Sequence, residues 1–154
     1  MRDVELENQE LFKRRIPLPQ VVRRVSELTG VALRDLQCDA LLDAIGAPVH
    51  LIPDWRARTP EELIVQTQLL ELWPATSTTV VVPEVSYDSP PAGFVVPSDD
   101  LRAFVLGPGR EMGEAFFTGD VVVVGWDTEA IWSFHHEGAW AHRRFAPVDG
   151  GMQS

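Results

Sequence analysis

The hydrophobic positions of the first third of the chain recur with the spacing of α-helices. Over residues 21–28 they fall at i, i+1, i+4 and i+7, which places them on one helical face. Gly30 is suited to end this helix in a left-handed conformation. A second apolar stripe runs over residues 33–45 and stops at Gly46. The pattern therefore predicts two consecutive amphipathic helices.

The residues at positions 59–62 predict the start of a third helix. Thr59 is followed by Pro60 and, three positions after the threonine, by Glu62. This spacing is typical of a capping box, in which the threonine oxygen and the glutamate carboxylate each accept a hydrogen bond from the other residue's backbone N–H. The apolar face continues to Trp73, and Pro74 cannot extend the helix. The sequence predicts a helix over residues 60–73 with Trp73 in the core.

The second half of the chain is typical of β-structure. The segment 78–82 contains only β-branched residues, and later segments alternate between apolar runs and short turns. Ser98 is predicted to cap a short helix over residues 99–106. The predicted strands are residues 78–82, 94–96, 115–118, 121–126, 130–135 and 139–145, with a further short strand at 49–52. We expect an α+β fold in which N-terminal helices pack on an antiparallel sheet of four to six strands that ends in a β-meander.

Length and composition indicate one domain. The chain has 154 residues, of which 45% are hydrophobic and 23% charged, values typical of a globular protein. We predict a single domain with a helical part at residues 17–73 and a sheet part at 76–146. Residues 1–16 are polar and are expected to fray.

The charge distribution changes the picture of possible partners. The formal net charge is −10. Residues 1–60 carry nine basic and nine acidic side chains, whereas residues 61–154 carry four basic and fourteen acidic ones. This acidity disfavours a nucleic-acid partner and is suited to a basic protein. The sequence contains no apolar run long enough to span a membrane, no recognisable secretory leader and only one cysteine. We therefore expect a cytoplasmic protein without membrane contact.

Aromatic residues and histidines concentrate in the segment 126–142. A three-residue turn at 136–138 would place Phe134 opposite Trp140 and Trp132 opposite His142. One interpretation is a cross-strand aromatic ladder that stabilises the hairpin. The alternative is an exposed aromatic platform that anchors a protein partner.

The same segment also raises the question of a metal site. His135, His136, Glu137 and His142 are all potential ligands. Successive residues of a strand point to opposite faces, so His135 and His136 can share an ion only if the turn twists them together. The helical His-Glu-x-x-His spacing of zinc hydrolases is not present. We therefore predict neither a metal site nor a cofactor, and we assign no catalytic residues.

Three segments resemble a known family. They are the strand and short helix at residues 93–104 and the apolar runs at 119–125 and 131–134, which are similar to successive elements of the SUKH superfamily. Members of that superfamily are cytoplasmic α+β immunity proteins of bacterial toxin systems. The resemblance implies a protein that binds and blocks a toxin without catalysis.

The function expected from the sequence is a non-catalytic protein-binding module, an immunity protein that neutralises a basic toxin through an acidic surface. Tryptophans supply the anchors and carboxylates the surrounding charge. The expected partner-binding residues are Trp126, Trp132, Trp140, Asp99, Asp100, Glu111, Glu114 and Glu137. Two alternatives remain open, a small metal-binding enzyme that uses the four potential ligands of the hairpin and a structural subunit of a larger complex.

Overall fold

Seven antiparallel strands form a single sheet, and helices cover both of its faces. The computed structural model describes residues 14–36, 38–87, 90–106, 116–117 and 119–145. The strands are β1 (Arg15–Pro17), β2 (His50–Leu51), β3 (Thr78–Val82), β4 (Ala92–Pro97), β5 (Val121–Gly125), β6 (Ala130–Phe134) and β7 (Ala139–Arg144). The α-helices are α1 (Leu18–Thr29), α2 (Cys38–Ile45), α3 (Pro60–Gln66) and α4 (Leu101–Leu106). The strand order is β1-β4-β3-β5-β6-β7-β2.

The valine-rich strands lie at the centre of the sheet. All residues of β5 and β6 are buried, as are four of the five residues of β3. A strand that is buried on both faces needs a packed layer on each side. β5 is therefore apolar throughout, and β6 is apolar except for the buried Ser133.

Each face of the sheet has its own helical layer. On the first face α1 and α2 pack against the sheet, and the contact includes Val21, Val25, Leu36, Leu41, Ile45, Val80, Val122 and Ile131. On the second face α3, α4 and the two phenylalanines 116–117 pack against the alternate side chains of the strands, and this larger cluster includes Leu63, Ile64, Leu101, Phe104, Val81, Val123, Trp132 and Phe134. The second cluster holds most of the aromatic rings.

The predicted fold class is confirmed, and β5, β6 and β7 form the expected meander. The sheet is larger than expected because short strands complete both edges. β2 pairs with β7, and β1 pairs with β4 in the register Arg15 to Phe94. Part of the segment 1–16 is thus ordered as a strand where we expected fraying, while residues 1–13 lie outside the described residues. Residues 116–117 form a turn, and residues 115 and 118 of the strand predicted there are not described.

Two predicted helices are shorter in the structure. α2 begins at Cys38 and not at residue 33, although Leu36 is 2% exposed and contributes to the core. α3 ends at Gln66, because Gln68 adopts a left-handed backbone conformation with φ of 58°. The chain continues in a 3-10 turn that still places Trp73 in the core, where its Nε1 donates to the Leu69 carbonyl at 2.6 Å. Apolar spacing located the buried side chains correctly but overestimated the length of the helices.

The helix starts show one confirmed prediction and one that is wrong. Glu62 N donates to Thr59 Oγ1 at 3.1 Å, and Thr59 N donates to the Glu62 carboxylate at 2.9 Å, so the capping box is present. Ser98 does not cap a helix, because it lies inside a 3-10 turn and its hydroxyl contacts that of Ser77. Within the described part of the chain, no helix combines the length and the apolar character that crossing a membrane requires.

Candidate functional site

The loops at one end of the sheet gather several of the acidic residues. β3 begins where β4 and β5 end, since Thr78 pairs with Pro97 and Thr79 pairs with Gly125. Two strand spacings separate β4 from β5, which amounts to about 10 Å. The turn after β4 and the turn after β5 therefore lie close together in space, although 25 residues or more separate them in the sequence.

The turn after β4 carries Asp99 and Asp100. It is a 3-10 turn over Ser98–Asp100 that leads directly into α4, with Asp99 exposed and Asp100 half-buried. Two residues later, an Arg102 guanidinium nitrogen lies 3.1 Å from a Glu61 carboxylate oxygen. This ion pair links α4 to the first turn of α3, so that Glu61 belongs to the same end of the molecule.

The turn after β5 carries Trp126, Asp127 and Glu129. Trp126 is half-buried, and its N–H donates to the Thr78 carbonyl at 3.0 Å. Asp127 Oδ1 accepts from Thr78 N at 3.1 Å. Glu129 has a φ of 57° and lies 3.5 Å from the Arg24 guanidinium. We call Glu61, Asp99, Asp100, Asp127 and Glu129 together the acidic end.

The tryptophans of the C-terminal hairpin occupy the core and not the surface. Trp132 is fully buried, and its Nε1 donates to the carbonyl of Thr67 at 2.9 Å. Trp140 is 5% exposed and stacks on His50 of β2 at a centroid distance of 4.5 Å. The exposed-platform interpretation is therefore corrected for these two residues, and the aromatic ladder is what the structure contains. Of the three tryptophans, only Trp126 offers part of its side chain to a partner.

The hairpin register itself agrees with the prediction. Trp132 pairs with His142 and Phe134 pairs with Trp140. The turn closes through a hydrogen bond from His135 N to the Ala139 carbonyl at 2.7 Å. The length of the turn determined this register, and so it could be predicted from local sequence.

Of the remaining predicted partner-binding residues, Glu137 does not join the acidic end. The side chain of Glu137 is 75% exposed but belongs to the β6–β7 turn, at the opposite end of the sheet. Glu111 and Glu114 lie outside the described residues. Asp127, Glu129 and Glu61 were not singled out from the sequence, and they reach the end of the sheet that carries Asp99 through the strand order and the Arg102–Glu61 ion pair.

The four potential metal ligands of the hairpin separate into two groups. His142 lies on β7, where its Nε2 is 2.8 Å from the Gln68 amide oxygen. Burial lowers the pKa of His142, and the charge of nearby His50 lowers it further, with a smaller opposing effect from Glu71. His135, His136 and Glu137 lie at the end of the hairpin.

Asp120 completes the group at the end of the hairpin. Its Oδ1 accepts from the backbone N of His136 at 2.9 Å and lies 2.8 Å from that residue's ring Nδ1. Asp120 has no local signal in the sequence, because it lies 16 positions from His136 along the chain. The set with ligand geometry is therefore Asp120, His135 and His136, which differs from the set considered from the sequence.

Comparisons with known proteins do not assign a function to this chain. No protein-family model, no curated protein and no solved structure matches this chain. The candidate functions consequently rest on two places in the fold. One is the acidic end with Trp126, and the other is the group of Asp120 and two histidines at the opposite end of the sheet.

Proposed function

We propose that this protein is a non-catalytic binding module whose acidic end holds a basic protein partner. The observation that carries the proposal is that the turn with Asp99 and Asp100 and the turn with Trp126 and Asp127 lie at the same end of the sheet, one strand apart. The strand order brings the two turns to this end, where Trp126 packs on the face of α1 and α2, and α4 covers the other face. An aromatic anchor with charge around it is the common energetic plan of a protein interface.

The charge balance at this end is negative after its internal ion pairs are counted. Arg102 pairs with Glu61, and Arg24 lies 3.5 Å from both Glu129 and Glu27. Asp99, Asp100 and Asp127 add three carboxylates to these pairs. A basic surface would gain favourable long-range attraction here, which accelerates association more than it slows dissociation.

Two further arginines at this end are held by backbone carbonyls. Arg143 and Arg144 lie on β7, two strands beyond β5 in the sheet. Arg144 donates to the Leu72 carbonyl at 2.6 Å and Arg143 to the Ile45 carbonyl at 3.0 Å, so both guanidinium groups are held in place.

The class of partner follows from the resemblance to the SUKH superfamily. A basic toxin domain, such as a nuclease with a positive phosphate-binding surface, has the charge that the acidic end would complement. By covering that surface the protein would neutralise the toxin without any catalytic step. We propose this as the function, in a cytoplasmic setting within a bacterial toxin–immunity pair.

Charge reversal at the acidic end tests the proposal. The product of the neighbouring gene is expressed with the chain, and association and dissociation rates are measured at low and high salt. The double variant Asp99→Lys with Asp100→Lys should lower the association rate about tenfold at low salt and flatten its salt dependence, with little change in the dissociation rate. Because Asp99 is exposed and Asp100 half-buried, the fold should lose only about 0.3–1 kcal/mol.

Glu137→Lys is the matched control, since it reverses one exposed charge at the opposite end of the sheet. It should leave both rate constants within about twofold of wild type. The proposal is wrong if Glu137→Lys slows association as much as the double variant, or if the captured partner is itself acidic. A partner retained equally at all salt concentrations would favour the structural-subunit alternative instead.

The metal-binding enzyme built on His135, His136, Glu137 and His142 is not proposed. His142 is held at Gln68 on β7 while the other three lie at the turn, so the four side chains do not form one constellation.

A further inference from the structure

The end of the sheet opposite the acidic end brings together three side chains with the donor atoms of a transition-metal site. Asp120 precedes β5 directly and His135 follows β6 directly. Because Val121 pairs with Phe134 in the antiparallel ladder, extending the register by one residue places Asp120 opposite His135. The sheet itself therefore positions a carboxylate beside the hairpin turn.

The turn brings the second histidine to the same place. Gly138, with a φ of 92°, donates its N–H to the His135 carbonyl at 2.8 Å and reverses the chain tightly. His136 consequently does not point away from His135 as a neighbour in a strand would. The two imidazole rings lie 4.2 Å apart between centroids. The turn therefore twists the two histidines together, as a shared ion requires.

Asp120 also orients the ring of His136. An ionised carboxylate can only accept hydrogen bonds, so the 2.8 Å contact with Oδ1 places the ring proton on Nδ1. An ion bound between Nδ1 and the Asp120 carboxylate would take the place of this proton, and the ring proton would move to Nε2. The Nδ1 atom and the carboxylate oxygen, already neighbours, would then be adjacent ligands of one ion.

We propose that Asp120, His135 and His136 bind one divalent transition-metal ion. One ligand atom from each lies within 4.8 Å of the others. A tetrahedral ion with nitrogen and oxygen ligands at about 2.0–2.1 Å requires spacings of about 3.3 Å. Side-chain rotation can bring the ligand atoms to this spacing, because the side chains of His136 and Asp120 are partly exposed, with exposed fractions of 45% and 33%.

The donor set and the surroundings define the class of ion. Two imidazoles with one carboxylate suit Zn²⁺, Co²⁺, Ni²⁺ or Cu²⁺, whereas Mg²⁺ and Ca²⁺ favour oxygen ligands. The Glu137 carboxylate lies 4.0 Å from His135 Nδ1 and can approach as a further oxygen donor. His135 accepts a 3.2 Å hydrogen bond from Glu137 N at Nδ1, and the ion would replace this contact if it binds that nitrogen. The site goes beyond the proposed function, because it lies away from the acidic end.

The test is calorimetric titration of the untagged full chain with ZnCl₂, together with the visible absorption of the Co²⁺ form. We expect one ion per chain with a dissociation constant of about 10 μM or tighter. His136→Ala and His135→Ala should each weaken binding at least about tenfold, and Asp120→Asn should weaken it about tenfold. Glu137→Ala should have a smaller effect, about twofold to fivefold, since its carboxylate is the most distant donor.

His142→Ala and His50→Ala are the matched controls, because the chain has four histidines and these two lie on β7 and β2. Both should bind Zn²⁺ within about twofold of wild type. Circular dichroism of each variant checks that it is folded. The proposal is overturned if wild type shows no saturable binding at about 100 μM Zn²⁺, or if His142→Ala weakens binding as much as His136→Ala.

Discussion

Replacing Trp132 by phenylalanine should destabilise the protein strongly, although the new residue is also aromatic. Trp132 is fully buried and stacks near Phe134, with a ring-centroid distance of 6.3 Å and an interplanar angle of 12°. Its indole Nε1 donates to the carbonyl of Thr67, which is also fully buried. The substitution keeps most of the apolar contact but removes the donor.

Two effects contribute to the expected loss. A buried carbonyl without its hydrogen-bond donor costs about 1–3 kcal/mol. The smaller ring leaves about 40 Å³ unfilled, which at about 24 cal/mol per Å³ adds about 1 kcal/mol. The free energy of unfolding should therefore fall by about 2–4 kcal/mol, a large part of the stability of a domain of this size.

Urea unfolding followed by far-UV circular dichroism measures this loss without depending on tryptophan fluorescence. The midpoint should fall while the slope m stays unchanged. Trp126→Phe is the matched control, because Trp126 is half-buried and should lose less than about 1 kcal/mol. A Trp132→Phe variant that loses no more than Trp126→Phe would refute the reasoning, since the hydrogen bond to Thr67 would then contribute nothing.

Three further predictions concern single sites. Gly138→Ala should lower the free energy of unfolding by about 1–3 kcal/mol, because the φ of Gly138 is 92° and an added Cβ would lie 2.6 Å from Trp55 Cδ1. An unchanged melting temperature would contradict this prediction. Thr59→Ala should cost about 1 kcal/mol by removing the capping box, measured by urea unfolding, and no change would contradict it. Burial holds the pKa of His142 below its value in the unfolded chain, so the unfolded state binds the proton more readily and stability should fall as pH drops below about 6.5. His142→Gln should flatten this decline between pH 7 and 5, and an identical pH profile would count against it.

Local sequence was sufficient for several features of the fold. The capping box joins residues three positions apart, Gly30 and Gly46 end helices in left-handed conformations as expected, and a three-residue turn determines the register of the C-terminal hairpin. The burial of Trp73 followed from helical spacing even though the helix ends at Gln66. Each of these features depends on contacts within one or two turns of chain, where residue type and spacing are strong constraints.

The functional geometry depended on contacts that no local pattern contains. Asp120 meets His136 across 16 positions, and Trp132 meets Thr67 across 65. The acidic end forms because β3 lies between β4 and β5. The edge strands β1 and β2 pair with β4 and β7, from which they are distant along the chain. Hydrophobic pattern and turn chemistry determined which segments became strands and helices. Which strands became neighbours was decided by packing two helical layers against one sheet, and this order brought polar side chains from distant segments together.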